Sequence, residues 1–227
     1  MMPDKNLPLM PLEKVLFPGQ EIVLQIFEDR YKEMLSYCTE YDEKFGVVLI
    51  DSGKEVGDEA IPHGVGTTVK IREIVPTRNN RILLTGYGDK RFQINTTLTH
   101  KPYPQANVSF DLPNDSEQNK SQNTIPSNTL FNMIWESYLE VLAMRDALAS
   151  SWRKIPDTRP AVHKFCNQVG AITEGYAHDL LRQDLLSTYD GEQRLPVANS
   201  LLQEAKTKIK KQLNFLQATR FGGTNRN

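Results

Sequence analysis

Residues 7–34, LPLMPLEKVLFPGQEIVLQIFEDRYKEM, carry the strongest structural pattern in this sequence of 227 residues. The segment 7–17 is apolar, and its two prolines are typical of an irregular strand or of a strand at a sheet edge. Pro18-Gly19 is a turn signal. Residues 21–26 then alternate between polar and apolar side chains, which predicts a half-buried strand.

The period of the apolar residues changes after this strand. Apolar side chains now recur at helical spacing, which predicts one amphipathic helix over residues 28–40. Its first residues, Glu28 and Asp29, are acids, as the helix dipole favours at that end. We expect its buried face to consist of Phe27, Tyr31, Met34, Leu35 and Cys38.

Further short apolar or alternating runs continue to residue 112 and are separated by turn signals. Residues 78–81, Arg-Asn-Asn-Arg, predict the turn of a hairpin. Six or seven short strands with one helix inserted early favour a small barrel or a folded sheet over parallel βαβ units.

The chain changes character after this β-rich part. Residues 113–128 are nearly all polar and predict a linker. Residues 129–220 show helical periodicity in several segments, which predicts a bundle of helices. We therefore expect an α+β chain with a β-rich part at 1–112, a linker at 113–128 and a helical part at 129–220.

Composition excludes several classes of protein. The chain has 27 basic and 28 acidic residues, so a globally basic nucleic-acid-binding protein is not indicated. Two cysteines, Cys38 and Cys166, are too few for a disulfide framework. The first residues lack the apolar core of a signal peptide, and no apolar run is long enough to span a membrane. We expect a cytoplasmic protein.

Residues that could support catalysis or metal binding are sparse. The sequence has neither a phosphate-binding loop nor a dinucleotide fingerprint. His163 and Cys166 stand at metal-ligand spacing on one predicted helix, but no third ligand is near in sequence. A surface histidine beside a core cysteine is the favoured interpretation. We expect no catalytic residues, no metal, no cofactor and no enzymatic activity.

Charge is unevenly distributed along the chain. Residues 13–59 hold twelve acidic and five basic residues, whereas residues 190–227 hold seven basic and three acidic residues. The last predicted helix contains four clustered lysines that could contact nucleic acid or an acidic partner: Lys206, Lys208, Lys210 and Lys211. A solvated helix face is favoured instead, because no aromatic residue alternates with the lysines.

Aromatic residues are the candidates for a binding surface. Tyr87, Tyr103, Trp135 and Tyr138 could form an apolar patch suited to extended or unfolded polypeptide, at the junction of the two halves. The alternative is that all four are core residues, and for Trp135 that alternative is favoured.

Beyond residues 7–34, the same type of motif continues at Phe45–Leu49, Glu55–Gly57, Val65–Thr67, Gly88–Phe92 and Lys101–Tyr103. Together these stretches resemble the N-terminal, substrate-binding (LON) domain of Lon proteases, and the resemblance extends over nearly the whole chain. Met10 stands where phenylalanine is usual in the family, and Gln25 where histidine or arginine is common.

The resemblance implies a PUA-like β pseudo-barrel with one inserted helix, followed by a C-terminal helical bundle. It also implies a stand-alone, non-catalytic polypeptide-recognition module, without the ATPase and peptidase modules of Lon. Such a module would act as an adaptor or substrate selector for proteolysis or protein quality control. Its partners would be unfolded or extended polypeptide, or a protease. The alternative is an RNA- or nucleic-acid-linked role through the barrel, which the lack of a basic barrel face disfavours.

Limited proteolysis tests the predicted division of the chain. We expect trypsin and Glu-C to cut first within residues 113–128, at Lys120 and Glu117, because this stretch is polar and lacks periodicity. Mass spectrometry of early digests would locate the cuts. First cuts elsewhere, with residues 113–128 intact, would contradict the division.

Overall fold

The computed structural model describes residues 5–41, 44–57, 60–98, 100–110, 129–151, 156 and 158–222. The chain forms two compact units, Met1–Asn119 and Lys120–Asn227. All described strands belong to the first unit, and the described helices other than the first belong to the second. The linker predicted at 113–128 lies outside the described residues.

The described part of the first unit contains six strands and one helix, which confirms the predicted α+β fold class with one early helix. They are β1 (Lys5–Leu12), β2 (Glu21–Ile26), α1 (Asp29–Glu40), β3 (Phe45–Ser52), β4 (Ile61–Thr77), β5 (Arg81–Leu98) and β6 (Gln105–Ser109).

The sheet of the first unit closes on itself. Its order is β2-β5-β4-β3-β1-β6, and an additional pairing joins β5 to β6. The strand β5 pairs with β2 through residues 82–87 and with β6 through residues 93–98. Five strands therefore form a closed barrel, while β2 extends the sheet beside the first half of β5.

The barrel interior is organised around Phe92, which is fully buried. A Cβ atom at Gly46 would lie 2.5 Å from the Phe92 ring, and one at Gly66 would lie 2.6 Å from it. Only glycine therefore leaves room for this ring between β3 and β4. The same cluster contains Leu7, Leu9, Val48, Ala106 and Val108.

The predicted helix over residues 28–40 is confirmed as α1, and Tyr31, Met34, Leu35 and Cys38 are buried as expected. They pack with Ile22, Leu24, Ile26, Leu84 and Tyr103 in a second apolar cluster. The prediction that Phe27 is buried is wrong, because its side chain is 47% exposed. Phe27 precedes the helix and continues the alternation of β2, which turns it outward.

The prolines of β1 predict an irregular strand or an edge strand, and β1 is irregular, because it lies inside the sheet order and changes partner along its length. Its residues 5–8 pair with β6, and its residues 9–12 pair with β3. Each half of β1 therefore pairs with one neighbouring strand. The strand tolerates prolines because only some of its N–H groups are needed for hydrogen bonds to that neighbour.

The predicted hairpin turn connects β4 to β5. Asn79 has φ 63° and Asn80 has φ 56°. Asparagine accepts a positive φ more readily than most residues do, which explains the two asparagines of this three-residue loop between Thr77 and Arg81. The turn residues thus set the register of the longest strand pair.

The described helices of the second unit are α2 (Thr129–Ala149), α3 (Val162–Ile172), α4 (Asp179–Ser187) and α5 (Gly191–Gly222). An aromatic cluster joins α2 to α3, with the Phe165 ring centroid 5.1 Å from Phe131, 5.7 Å from Trp135 and 5.4 Å from Tyr138. Edge-on and tilted ring contacts of this kind stabilise helix packing beyond area burial.

Two fully buried arginines, Arg194 and Arg182, connect α3, α4 and α5 through hydrogen bonds. From α5, the Arg194 guanidinium donates to the Leu185 carbonyl at 3.1 Å and to Asn167 Oδ1 at 2.7 Å. It also donates to the His163 carbonyl at 3.3 Å. Arg182 on α4 similarly donates to a carbonyl of α3. These bonds satisfy the N–H donors of the guanidinium groups, which would otherwise be costly to bury.

Glycine substitutions on β4 test the barrel packing. A Cβ at Gly66 would lie 2.5 Å from the Val47 carbonyl oxygen, whereas a Cβ at Gly64 would meet nothing within 4 Å. We expect Gly66→Ala to lower the free energy of unfolding by about 1–3 kcal/mol and Gly64→Ala to change it by less than about 1 kcal/mol. Urea denaturation would measure both. Equal effects of the two substitutions would contradict the packing described.

Candidate functional site

An exposed apolar surface covers the outer side of β2, β4 and β5. Its four members are Val23 (53% exposed), Phe27 (47%), Val75 (39%) and Leu83 (37%). We call this set of residues the outer face. Contiguous apolar residues on a protein surface mark sites of interaction more often than scattered ones do.

Strand register brings the outer face together. Leu83 on β5 lies opposite Gln25 of β2 and opposite Val75 of β4. Val23 lies opposite Thr85, at the next outward position of the same strands. Directly opposed residues in antiparallel strands have Cβ atoms about 5 Å apart, which places Leu83 beside Val75, whereas Val23 is a diagonal neighbour of Leu83 at about 7–8 Å.

Polar contacts lie at one end of the outer face and across its middle. At the end, Arg72 Nη1 donates to Tyr87 Oη at 3.0 Å, and Tyr87 Oη donates to Glu21 Oε1 at 3.2 Å. In the middle, Arg81 Nη1 donates to Gln25 Oε1 at 3.1 Å, and Gln25 stands opposite Leu83, between Val23 and Phe27. These contacts are exposed and stabilise the fold little.

The strand β2 also has an open edge. It is the terminal strand in the sheet order and, within the described part of the chain, pairs only with β5. Its other edge therefore carries backbone N–H and C=O groups without a strand partner, which is the geometry that accepts an added strand.

The four aromatic residues predicted as a binding surface are divided between the units. Tyr103 is 1% exposed in the first unit, while Trp135 and Tyr138 are each 5% exposed in the second. Burial agrees with the alternative that these three are core residues. Tyr87 is partly exposed and borders the outer face. Binding by these residues stays a prediction.

Sequence reasoning missed the outer face itself. The sequence feature that could have revealed it is an apolar residue at a position of β2 where the alternation predicts a polar, exposed residue. Val23 stands between the outward Glu21 and Gln25, and Phe27 is the next outward position.

The structure places His163 and Cys166, the residues at metal-ligand spacing, among other side chains of the second unit. Cys166 is fully buried, and Arg194 Nη1 lies 3.4 Å from His163 Nδ1. In the described ranges, no three or more His, Cys, Asp or Glu side chains cluster so as to hold a metal ion. Across the same ranges, no helix combines the length and apolar composition needed to cross a bilayer.

Two lysines of the predicted cluster, Lys206 and Lys210, lie beside a carboxylate. Lys206 pairs with Glu140 of α2, and Lys210 Nζ lies 3.6 Å from the same carboxylate. The hydrogen bond from Lys206 lowers the pKa of Glu140. Lys208 and Lys211 are exposed on the remaining faces of α5.

Tyr31 of α1 and Tyr103, which belongs to the same apolar cluster, have raised pKa values because they are buried. Burial raises the pKa of Tyr31 to about 12, although the nearby Arg30 opposes the shift. The Arg30 guanidinium lies 4.6 Å from the Tyr31 ring centroid. Burial also raises the pKa of Tyr103, whose Oη has no hydrogen-bond partner among the described residues.

Alkaline unfolding tests the burial of Tyr31. Because its pKa rises from 10.0 to about 12 on folding, its stabilising contribution is complete below pH 10 and is lost as pH rises through 12. From roughly pH 8 to roughly pH 11, wild type should lose about 1 kcal/mol more unfolding free energy than Tyr31→Phe. Urea titrations at both pH values would measure this. Identical losses in the two proteins would contradict it.

Comparison with known proteins supplies the family. The model of the ATP-dependent protease La (LON) substrate-binding domain matches residues 6–204. A Lon protease of Flavobacterium johnsoniae is 29% identical over 119 residues, which is 49% of this chain and 15% of that protease. The chain therefore matches only a small part of that relative's length.

Solved structures show the same fold. A Lon N-terminal domain protein from Xanthomonas campestris has a TM-score of 0.60 at 22% identity, covering 85% of this chain and 95% of its own. The N-terminal domain of a Mycobacterium avium complex Lon protease has a TM-score of 0.59 at 13% identity, covering 88% and 98%. Since the family model spans most of the sequence, this chain belongs to the ATP-dependent protease La (LON) substrate-binding domain family.

Proposed function

We propose that this protein binds extended, apolar segments of polypeptide at the outer face and along the open edge of β2. The observation that carries this proposal is the coincidence of two features on one strand. Val23 and Phe27 expose apolar side chains, and the backbone between them lies on an edge without a strand partner.

Each feature would contribute differently to binding. An added strand gains main-chain hydrogen bonds to β2, which recognise extended conformation without regard to sequence. The outer face then selects for apolar side chains, because covering its exposed surface removes apolar area from water. Together they suit a protein that must recognise many unfolded chains.

The family supports the same role. A substrate-binding domain selects polypeptides, and the bound chain would be passed on to a protease or retained for quality control. In this proposal the protein acts as a non-catalytic adaptor or substrate selector, and peptide-bond hydrolysis belongs to a separate component.

Substitutions on the outer face test the proposal. The double variant Phe27→Asn/Leu83→Thr removes two exposed apolar side chains while keeping the core intact. We expect its dissociation constant for reduced, carboxymethylated α-lactalbumin to rise about thirtyfold, because the two lost contacts are worth about 1 kcal/mol each. Fluorescence anisotropy with labelled polypeptide would measure this. Thermal unfolding would verify that both proteins are folded.

Phe215→Asn supplies the matched control, since Phe215 is 69% exposed in the second unit. It should leave affinity unchanged. Apolar binding should also change little with salt, because salt screens exposed charges and not apolar contacts. Binding that collapses at high salt and is insensitive to Phe27→Asn/Leu83→Thr would contradict the proposal and favour the exposed lysines of α5.

A further inference from the structure

A cavity of about 390 Å³ lies at one mouth of the barrel. Residues from β1, the start of α1, the start of β4, the end of β5 and the start of β6 line it. Its volume falls within the range of pockets that hold small ligands. No residue of the outer face lines it, so it is a separate feature of the first unit.

Part of the wall of this cavity is apolar and rich in proline, while Tyr31, Thr97, Tyr103 and Gln105 add neutral polar groups. Proline has no backbone N–H, so proline walls present carbon surface and carbonyl oxygens without donors. Four prolines contribute to the lining, together with aliphatic side chains: Pro11, Pro62, Pro102, Pro104, Leu9 and Leu98.

Two cations supply the charged donors. Arg30 pairs with Glu28: its Nε and its Nη2 each lie 2.9 Å from Glu28 Oε2. Its Nη1 takes no part in that ion pair. Lys101 Nζ lies 5.8 Å from the Tyr37 ring centroid, and among the described residues it has no carboxylate partner. No aspartate or glutamate lines the cavity. Arg30 is paired with Glu28, and Glu55 and Glu33 act on the lining tyrosines Tyr31 and Tyr103. Lys101 is therefore the lining cation without a carboxylate partner among the described residues.

We propose that this cavity binds the C-terminal residue of a polypeptide when that residue is apolar. Its terminal carboxylate is bound by Lys101 and by the remaining donors of Arg30, and its side chain is bound among the prolines. The proposal rests on the proposed function, because it assigns a site for the end of the same class of ligand.

The combination of apolar walls and cations selects this occupant over other acids. A C-terminal residue carries its carboxylate and its apolar side chain on one Cα atom, so one residue satisfies both parts of the cavity. An internal aspartate or glutamate brings a carboxylate without an apolar group. An amidated C-terminus keeps the apolar group but lacks the charge that Lys101 and Arg30 complement.

Two versions of one peptide test the proposal. A fluorescein-labelled Gly-Ser peptide that ends in Leu-Phe is compared with its C-terminal amide by anisotropy. We expect the free acid to bind about tenfold more tightly, as a charge-assisted contact at a partly exposed site would give. Lys101→Gln should remove most of this difference, whereas Lys101→Arg should keep it. Lys90→Gln removes an exposed charge away from the cavity and should leave it unchanged.

Several outcomes would overturn the proposal. Equal affinity for acid and amide would exclude carboxylate recognition. Equal affinity for an amidated peptide with an internal glutamate would show that any acid suffices. Displacement by 3-phenylpropanoate, which lacks the peptide group of a C-terminal residue, as effective as displacement by the peptide would assign the cavity to free carboxylic acids instead of polypeptide ends.

The experiment separates this proposal from the proposed function. If acid and amide bind alike while Phe27→Asn/Leu83→Thr weakens both, the cavity proposal fails and the outer face stands. If the acid-to-amide ratio persists and depends on Lys101 while the outer-face variant has no effect, the cavity proposal is supported and the outer face fails.

Discussion

The architecture depends on the close approach between Gly88 and residues 17–20. Gly88 N donates to the Gln20 carbonyl at 2.8 Å, and Gly19 N donates to the Gly88 carbonyl at 2.8 Å. A Cβ atom at Gly88 would lie 2.2 Å from the Phe17 carbonyl oxygen, so no other residue fits without displacing the backbone. Before this point β5 pairs with β2, and after it β5 pairs with β6. The barrel therefore closes without β2, which leaves the open edge and the outer face.

Features with a local cause could be predicted from the sequence. The helix α1 follows from apolar spacing, and the turn at Asn79-Asn80 follows from the readiness of asparagine to adopt positive φ. The division between a β-rich part and a helical part follows from the change in period. The family resemblance rests on the same local motifs, and the match over residues 6–204 confirms it.

Features that depend on tertiary contacts could not be predicted. Helical spacing assigned Phe27 to the buried face, although its backbone still belongs to the alternation of β2. Arg194 looks like a surface residue in sequence, and only the carbonyls of neighbouring helices explain its burial. The cavity is assembled from segments far apart in the chain, so neither Lys101 nor Arg30 carries a sequence signal for it.

Amide hydrogen exchange of residues 21–27, with and without an unfolded polypeptide, tests the central claim most directly. If β2 accepts an added strand, the amides on its open edge should exchange more slowly in the complex, because each gains a hydrogen bond. The helices of the second unit should keep their exchange rates. Unchanged exchange throughout residues 21–27 under saturating polypeptide, with new protection confined to α5, would contradict the account.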